Sequence, residues 1–175
     1  LSTSSASGSL GRIQLRSSAT TGDAWEASFV HGGTTGRVMM AGAPDTTVFT
    51  GVAPRYEHGG NQDHLVVRRT AATDEEVVFA ATHETFTDSP RVMAVEGLTF
   101  SPPGSAVGLR ITLADGAVDY LAQSLEEGPD APLYAADGVE LSFSGRFAHV
   151  RVGADGALET MYLVGGSALS FEGES

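Results

Sequence analysis

The stretch Arg55-Tyr56-Glu57-His58-Gly59-Gly60-Asn61-Gln62-Asp63-His64 gathers a guanidinium, a phenol, two imidazoles and carboxylates on a glycine-rich loop that enters a strand. Loops carried on a rigid sheet are where binding side chains concentrate. Tyr56 and His58 have the chemistry of a proton donor and acceptor, since acid–base catalysis needs groups that exchange protons near neutral pH. Arg68 and Arg69 follow Leu65-Val66-Val67, and strand alternation sends one guanidinium to each face. With Arg55 and Arg91 on neighbouring elements, they suggest a small site for a uronate carboxylate, which arginine grips through two parallel N–H bonds. The candidate substrate-binding residues are Arg55, Tyr56, His58, His64 and Arg68. The competing reading is a solvated polar turn ahead of a strand, with the arginines spent on scattered ion pairs.

Other chemistries fit less well. His58, Asp63 and His64 are zinc-ligand types, but their spacing matches no defined motif, and the adjacent Asp63 and His64 point to opposite strand faces. No metal site and no cofactor is expected. His31, His83 and His149 lie at or within expected strands, where a hydrogen-bonded structural histidine is the commoner outcome. The nucleophile elbow Gly-x-Ser-x-Gly is absent, as are the phosphate-loop and dinucleotide glycine patterns. Gly32-Gly33-Thr34-Thr35-Gly36 reads as a hairpin loop, and the lack of cysteine excludes thiol chemistry.

The elements that must position these residues show period-2 alternation. Ile13 and Leu15 alternate with polar neighbours, as do Trp25, Ala27 and Phe29, and Leu109, Ile111 and Leu113. Further strands are expected at 36–41, 46–50, 63–70, 75–83, 90–97, 117–124, 138–144, 146–152, 158–164 and 168–172. Ala-Asp-Gly recurs at 114–116, 136–138 and 154–156, and Asp-Gly supplies the positive φ of tight hairpin turns. No segment sustains helical periodicity. The expected fold is all-β, an antiparallel β-sandwich of stacked sheets with about a dozen short strands. Residues 1–11 read as a Ser/Gly-rich linker or flexible edge segment, and 12–175 as a single sandwich domain.

Composition narrows the partners. The net charge is −12, and all ten basic residues are arginine. Nucleic acid is disfavoured because counterion release needs clustered cations, and an anionic ligand would need a local arginine cluster. No apolar run approaches the roughly 20 residues of a membrane helix. The chain opens on Leu1 without a signal-like segment, which suggests a mature or excised piece of a secreted, extracellular or periplasmic protein.

Two sets of strand patterns resemble the C-terminal β-sandwich of heparinase II/III-like polysaccharide lyases, a group that includes alginate lyases. The first runs from Val52-Ala53-Pro54-Arg55 through His64-Leu65-Val66-Val67-Arg68-Arg69 to Glu76-Val77-Val78-Phe79-Ala80-Ala81-Thr82-His83-Glu84 and Pro90-Arg91-Val92. The second comprises Val118-Asp119-Tyr120-Leu121, Gly145-Arg146-Phe147-Ala148-His149-Val150-Arg151 and Met161-Tyr162-Leu163-Val164-Gly165-Gly166. The resemblance implies β-elimination on a uronate-containing polysaccharide. It also implies that the catalytic residues lie upstream, on a helical toroid and the first sheet, so none is assigned here. The expected partners are then an acidic polysaccharide and that toroid domain or chain. A non-enzymatic extracellular module remains the alternative, either carbohydrate-binding or fibre-forming, with the Ser2–Ser9 segment adding to a neighbour's sheet in a homo-oligomer.

Overall fold

Alternation along the chain resolves into strands and no helix among the described residues of this computed structural model, namely 4–55, 59–73, 77–126, 132–135 and 138–175. Among these residues no helix is therefore long and apolar enough to cross a membrane. The strands are β1 (Ser4–Ser5), β2 (Ser9–Leu10), β3 (Ile13–Thr21), β4 (Trp25–His31), β5 (Thr34–Met40) and β6 (Thr46–Pro54). They continue with β7 (Asn61–Arg69), β8 (Ala81–Phe86), β9 (Val92–Leu98), β10 (Phe100–Ser101), β11 (Ala106–Leu113) and β12 (Val118–Ser124). The last are β13 (Leu133–Ala135), β14 (Leu141–Ser144), β15 (Phe147–Val152), β16 (Leu158–Val164) and β17 (Ala168–Phe171).

These strands make four antiparallel sheets. The first has the order β1-β3-β6-β7, with β2 also on β3, and the second is β4-β5-β8. The third is β16-β15-β12-β11-β9, and the fourth is β10-β13-β14-β17. Side-chain alternation stacks them. Met40 and Trp25 pack with Val48, Leu65 and Val67 of the first sheet. Met39, next to Met40 and so on the opposite face, joins Ala41 and Ala80 against Val95, Leu109, Ile111 and Leu113 of the third sheet. The other face of the third sheet buries Ala122, Ala148 and Val150 against Phe100, Leu133, Leu141, Phe143 and Phe171 of the fourth. Phe100 and Phe143 meet edge-on there, with centroids 5.9 Å apart. Layers in series thus replace one large core with three thin ones.

Two of the three Ala-Asp-Gly turns are built alike. Gly116 and Gly156 take φ of 89° and 82°. In each turn the preceding aspartate, Asp115 or Asp155, accepts a hydrogen bond from the following alanine amide, at 3.1 and 3.0 Å. The third falls partly on residues 136–137, outside the described set. In the segment set apart by composition, β1 and β2 both pair with β3.

One strand starts later than its apolar pattern suggests. Of the expected strand at 75–83, residues 75–76 lie outside the described set, Val77–Ala80 runs irregularly, and β8 begins at Ala81. Arg69 explains part of this, because its Nη1 donates to the Val78 carbonyl and takes that group out of any ladder.

The layers differ in width. The three-stranded second sheet lies against β9, at one side of the five-stranded third. Strands β15 and β16, with part of β12, therefore project past it and keep one face open.

Candidate functional site

The outer face of the first sheet collects several of the residues singled out from sequence. Strand β7 pairs with β6 so that His64 faces Gly51, Val66 faces Phe49 and Arg68 faces Thr47. Alternation turns Leu65 and Val67 into the core and leaves His64, Val66 and Arg68 on the outer face. The Arg68 guanidinium lies over the Phe49 ring, 5.6 Å from its centroid, a cation–π contact that leaves the exposed side chain's N–H groups accessible. On the neighbouring β3, Ser18 is registered against Phe49 and Thr20 against Thr47. The Thr20 and Thr47 hydroxyls are 3.3 Å apart. A cation lying over an aromatic ring thus sits beside a row of hydroxyl groups.

Arg55 leaves the end of β6, is exposed, and closes the hairpin by donating its amide to the Gly60 carbonyl at 3.0 Å. Tyr56 and His58 lie outside the described residues. Asp63 and His64 point to opposite faces, as alternation requires. Among the described residues no three metal-ligating side chains gather closely enough to hold an ion.

Arg69 turns inward, opposite to Arg68. It donates to the Thr46 hydroxyl at 3.0 Å and to the Val78 carbonyl, and it sits 4.9 Å from the Phe79 ring. It pins the irregular Val77–Ala80 segment to the first sheet and is not free for a ligand. Nor does Arg91 join Arg55: it precedes β9 of the third sheet, where its amide donates to Glu84 at 2.9 Å. The expected grouping of Arg55 with Arg91 is not formed, because topology assigns them to different layers.

The electrostatics favour the outer face for anions. Residues 1–70 hold six arginines against five carboxylates and residues 71–175 four against seventeen, although Arg69 turns inward and Arg37 of the second sheet is paired with Glu26 and Glu84. Two of those four later arginines are also committed: Arg110 pairs with Glu96 at 2.7 Å and Arg151 with Asp119 at 2.6 Å. Among the described residues no carboxylate pairs with Arg16, Arg55 or Arg68.

A second arrangement escaped the sequence reading. On the open face of the third sheet, Asp119 is registered against Arg151, and His149 stands between Leu121 and Tyr162. Arg151 grips Asp119 with both nitrogens, Nε to Oδ1 at 2.7 Å and Nη2 to Oδ2 at 2.6 Å. His149 Nε2 lies 2.9 Å from the same Oδ1. Burial pushes the Asp119 carboxyl up, but the hydrogen bonds from Arg151 and His149 outweigh it and hold the group below the ordinary carboxylate range. The one available signal was that His149 and Arg151, two residues apart on a strand, share a face.

Compared with known proteins, the chain matches no family model, no curated protein and no solved structure.

Proposed function

We propose that this chain is the β-sandwich portion of a secreted polysaccharide lyase that cleaves uronate-containing polysaccharide by β-elimination. It braces one wall of the substrate cleft, while the residues that move protons lie upstream. The carrying observation is the outer face of the first sheet, where Arg68 lies over the Phe49 ring, has no carboxylate partner among the described residues, and is bordered by Ser18, Thr20 and Thr47. A flat guanidinium offers paired N–H groups to a uronate carboxylate, and hydroxyls beside it suit the rest of a sugar ring. Arg16, Arg55 and Arg68 of the first sheet and its turns, which pair with no carboxylate among the described residues, lower the barrier that the acidic chain otherwise raises to a polyanion. The strand patterns that resemble heparinase II/III-like lyases run through these same β6 and β7 residues.

In β-elimination a base removes the proton α to the carboxylate while cations or hydrogen bonds offset the developing charge. In this reading the sandwich contributes positioning, since a catalytic set must be held to within about half an ångström by its supporting shell. The experiment is to express the chain with its upstream coding region and follow the ultraviolet absorbance of unsaturated uronate released from alginate and glycosaminoglycan. The longer protein should release product and the chain alone none. Cleavage by the chain alone would place the chemistry within it, and no cleavage by either would remove the lyase reading.

A further inference from the structure

We propose that the open ledge of the third sheet is a second saccharide site, one that takes an uncharged pyranose. The ledge exists because the second sheet is two strands narrower than the third, so β15 and β16 keep a bare face beside the covered part of β11. Tyr162 projects from it with 57% of its surface exposed, next in register to His149. An exposed tyrosine offers a ring for the apolar C–H face of a sugar and a hydroxyl for its rim.

The polar groups around Tyr162 are already fixed in place. Asp119 holds His149 through Nε2, which leaves Nδ1 for a ligand hydroxyl. The same carboxylate anchors Arg151 through Nε and Nη2, which leaves Nη1 as a donor. Groups immobilised before binding lose less entropy on binding, and sugar hydroxyls need such paired donors and acceptors. Leu121 and Phe147, on the same face as His149, also line a groove of 340 Å³ that runs under Val78 and Phe79, a volume in the range of small-ligand sites.

Charge selects the ligand. Asp119 neutralises Arg151, and the charges of Glu159 and Asp115 also act on the same guanidinium. The turn between β15 and β16 brings the Glu159 and Asp155 carboxylates within 2.7 and 2.9 Å of the point where a side chain on Gly153 would begin. A uronate would meet this acidic rim unpaired, whereas an uncharged sugar meets only hydrogen-bonding groups. This site does not depend on the lyase reading, since it concerns a different sheet and a different ligand charge.

The test titrates the chain with cellohexaose, mannohexaose, xylohexaose and an oligoguluronate hexamer, following backbone amide shifts by NMR. At least one neutral hexamer should shift the amides of His149, Arg151 and Tyr162. Tyr162→Ala should weaken it by about tenfold, and Tyr162→Phe by less, because the ring remains. Arg68→Ala should leave this binding within roughly twofold, since distant sites act independently. Tyr162 is exposed, so its variants should fold, and the emission of the buried Trp25 checks that they do. The proposal is overturned if no neutral hexamer moves these amides, if Tyr162→Ala binds as well as the parent, or if only the uronate hexamer binds the ledge.

Discussion

Arg37 and Glu84 fasten the second layer to the third. Arg37 Nε donates to Glu84 Oε1 at 2.8 Å, and Arg37 Nη2 donates to the Val92 carbonyl at the head of β9. Glu84 Oε2 in turn accepts the amides of Arg91 and Val92 at 2.9 and 3.1 Å. The two side chains are only 10% and 14% exposed, so the pair is shielded from the screening that makes surface ion pairs weak. Burial pushes the Glu84 carboxyl up, yet the amide of Arg91, the Arg37 guanidinium and the amide of Val92 together hold it below the ordinary range.

Removing Glu84 leaves two backbone amides without their acceptor and Arg37 with only the half-exposed Glu26 carboxylate, at 3.1 Å, and the Val92 carbonyl. Glu84→Ala should therefore lower unfolding stability by about 3 kcal/mol, with Glu84→Gln costing less because its carbonyl still accepts an amide. Urea denaturation followed by Trp25 emission measures this. A loss under about 1 kcal/mol for the alanine variant would mean that the layers adhere by apolar packing alone.

Acid should attack through Asp119 as well as Glu84. Both carboxyls are depressed in the folded chain, so the unfolded chain binds protons first on acidification. Their stabilisation is fully present above about pH 5 and is lost as pH falls through the depressed folded values. Protonation also relieves the repulsion of a chain with net charge −12, which works in the opposite direction. A difference between variants separates the two effects. Asp119→Asn should cost about 2 kcal/mol at pH 7 and show a shallower melting-temperature decline below pH 5 than the parent. Parallel declines would show that Asp119 carries none of the acid sensitivity.

Much of the layering was legible and much of the ledge was not, for one physical reason. Alternation marks which residues of a strand face a core, and it is local: Leu109, Ile111 and Leu113 announce β11, and Asp115-Gly116 its turn into β12. Pairing across intervening elements leaves no such mark. Asp119 meets Arg151 only because β12 pairs with β15, past β13 and β14, and Arg37 meets Glu84 because β5 pairs with β8, past β6 and β7. His149, expected to be a hydrogen-bonded structural histidine, does bond to Asp119, but the open face beside it follows from unequal sheet widths that no single segment encodes. The apolar run Val77–Ala80 looked like a strand because a groove wall needs the same residues as a buried strand.

The geometry of Arg68 makes the uronate reading testable one atom group at a time. Lysine at this position would keep the charge but could not present two parallel donors to a carboxylate while its cation lies over Phe49. If recognition were only electrostatic attraction, Arg68→Lys would bind an oligouronate as well as the parent does. If the planar guanidinium over Phe49 is what recognises the carboxylate, Arg68→Lys should bind about tenfold more weakly, and Phe49→Leu should weaken binding in the same direction by releasing the guanidinium. Stability should change by less than about 0.5 kcal/mol in Arg68→Lys, because the side chain is exposed and makes no ion pair among the described residues. Calorimetric titration with an oligoguluronate at two salt concentrations distinguishes the outcomes. Equal affinities of Arg68→Lys and the parent at both salts would reduce this face to a diffuse positive patch and remove the observation on which the polysaccharide assignment stands.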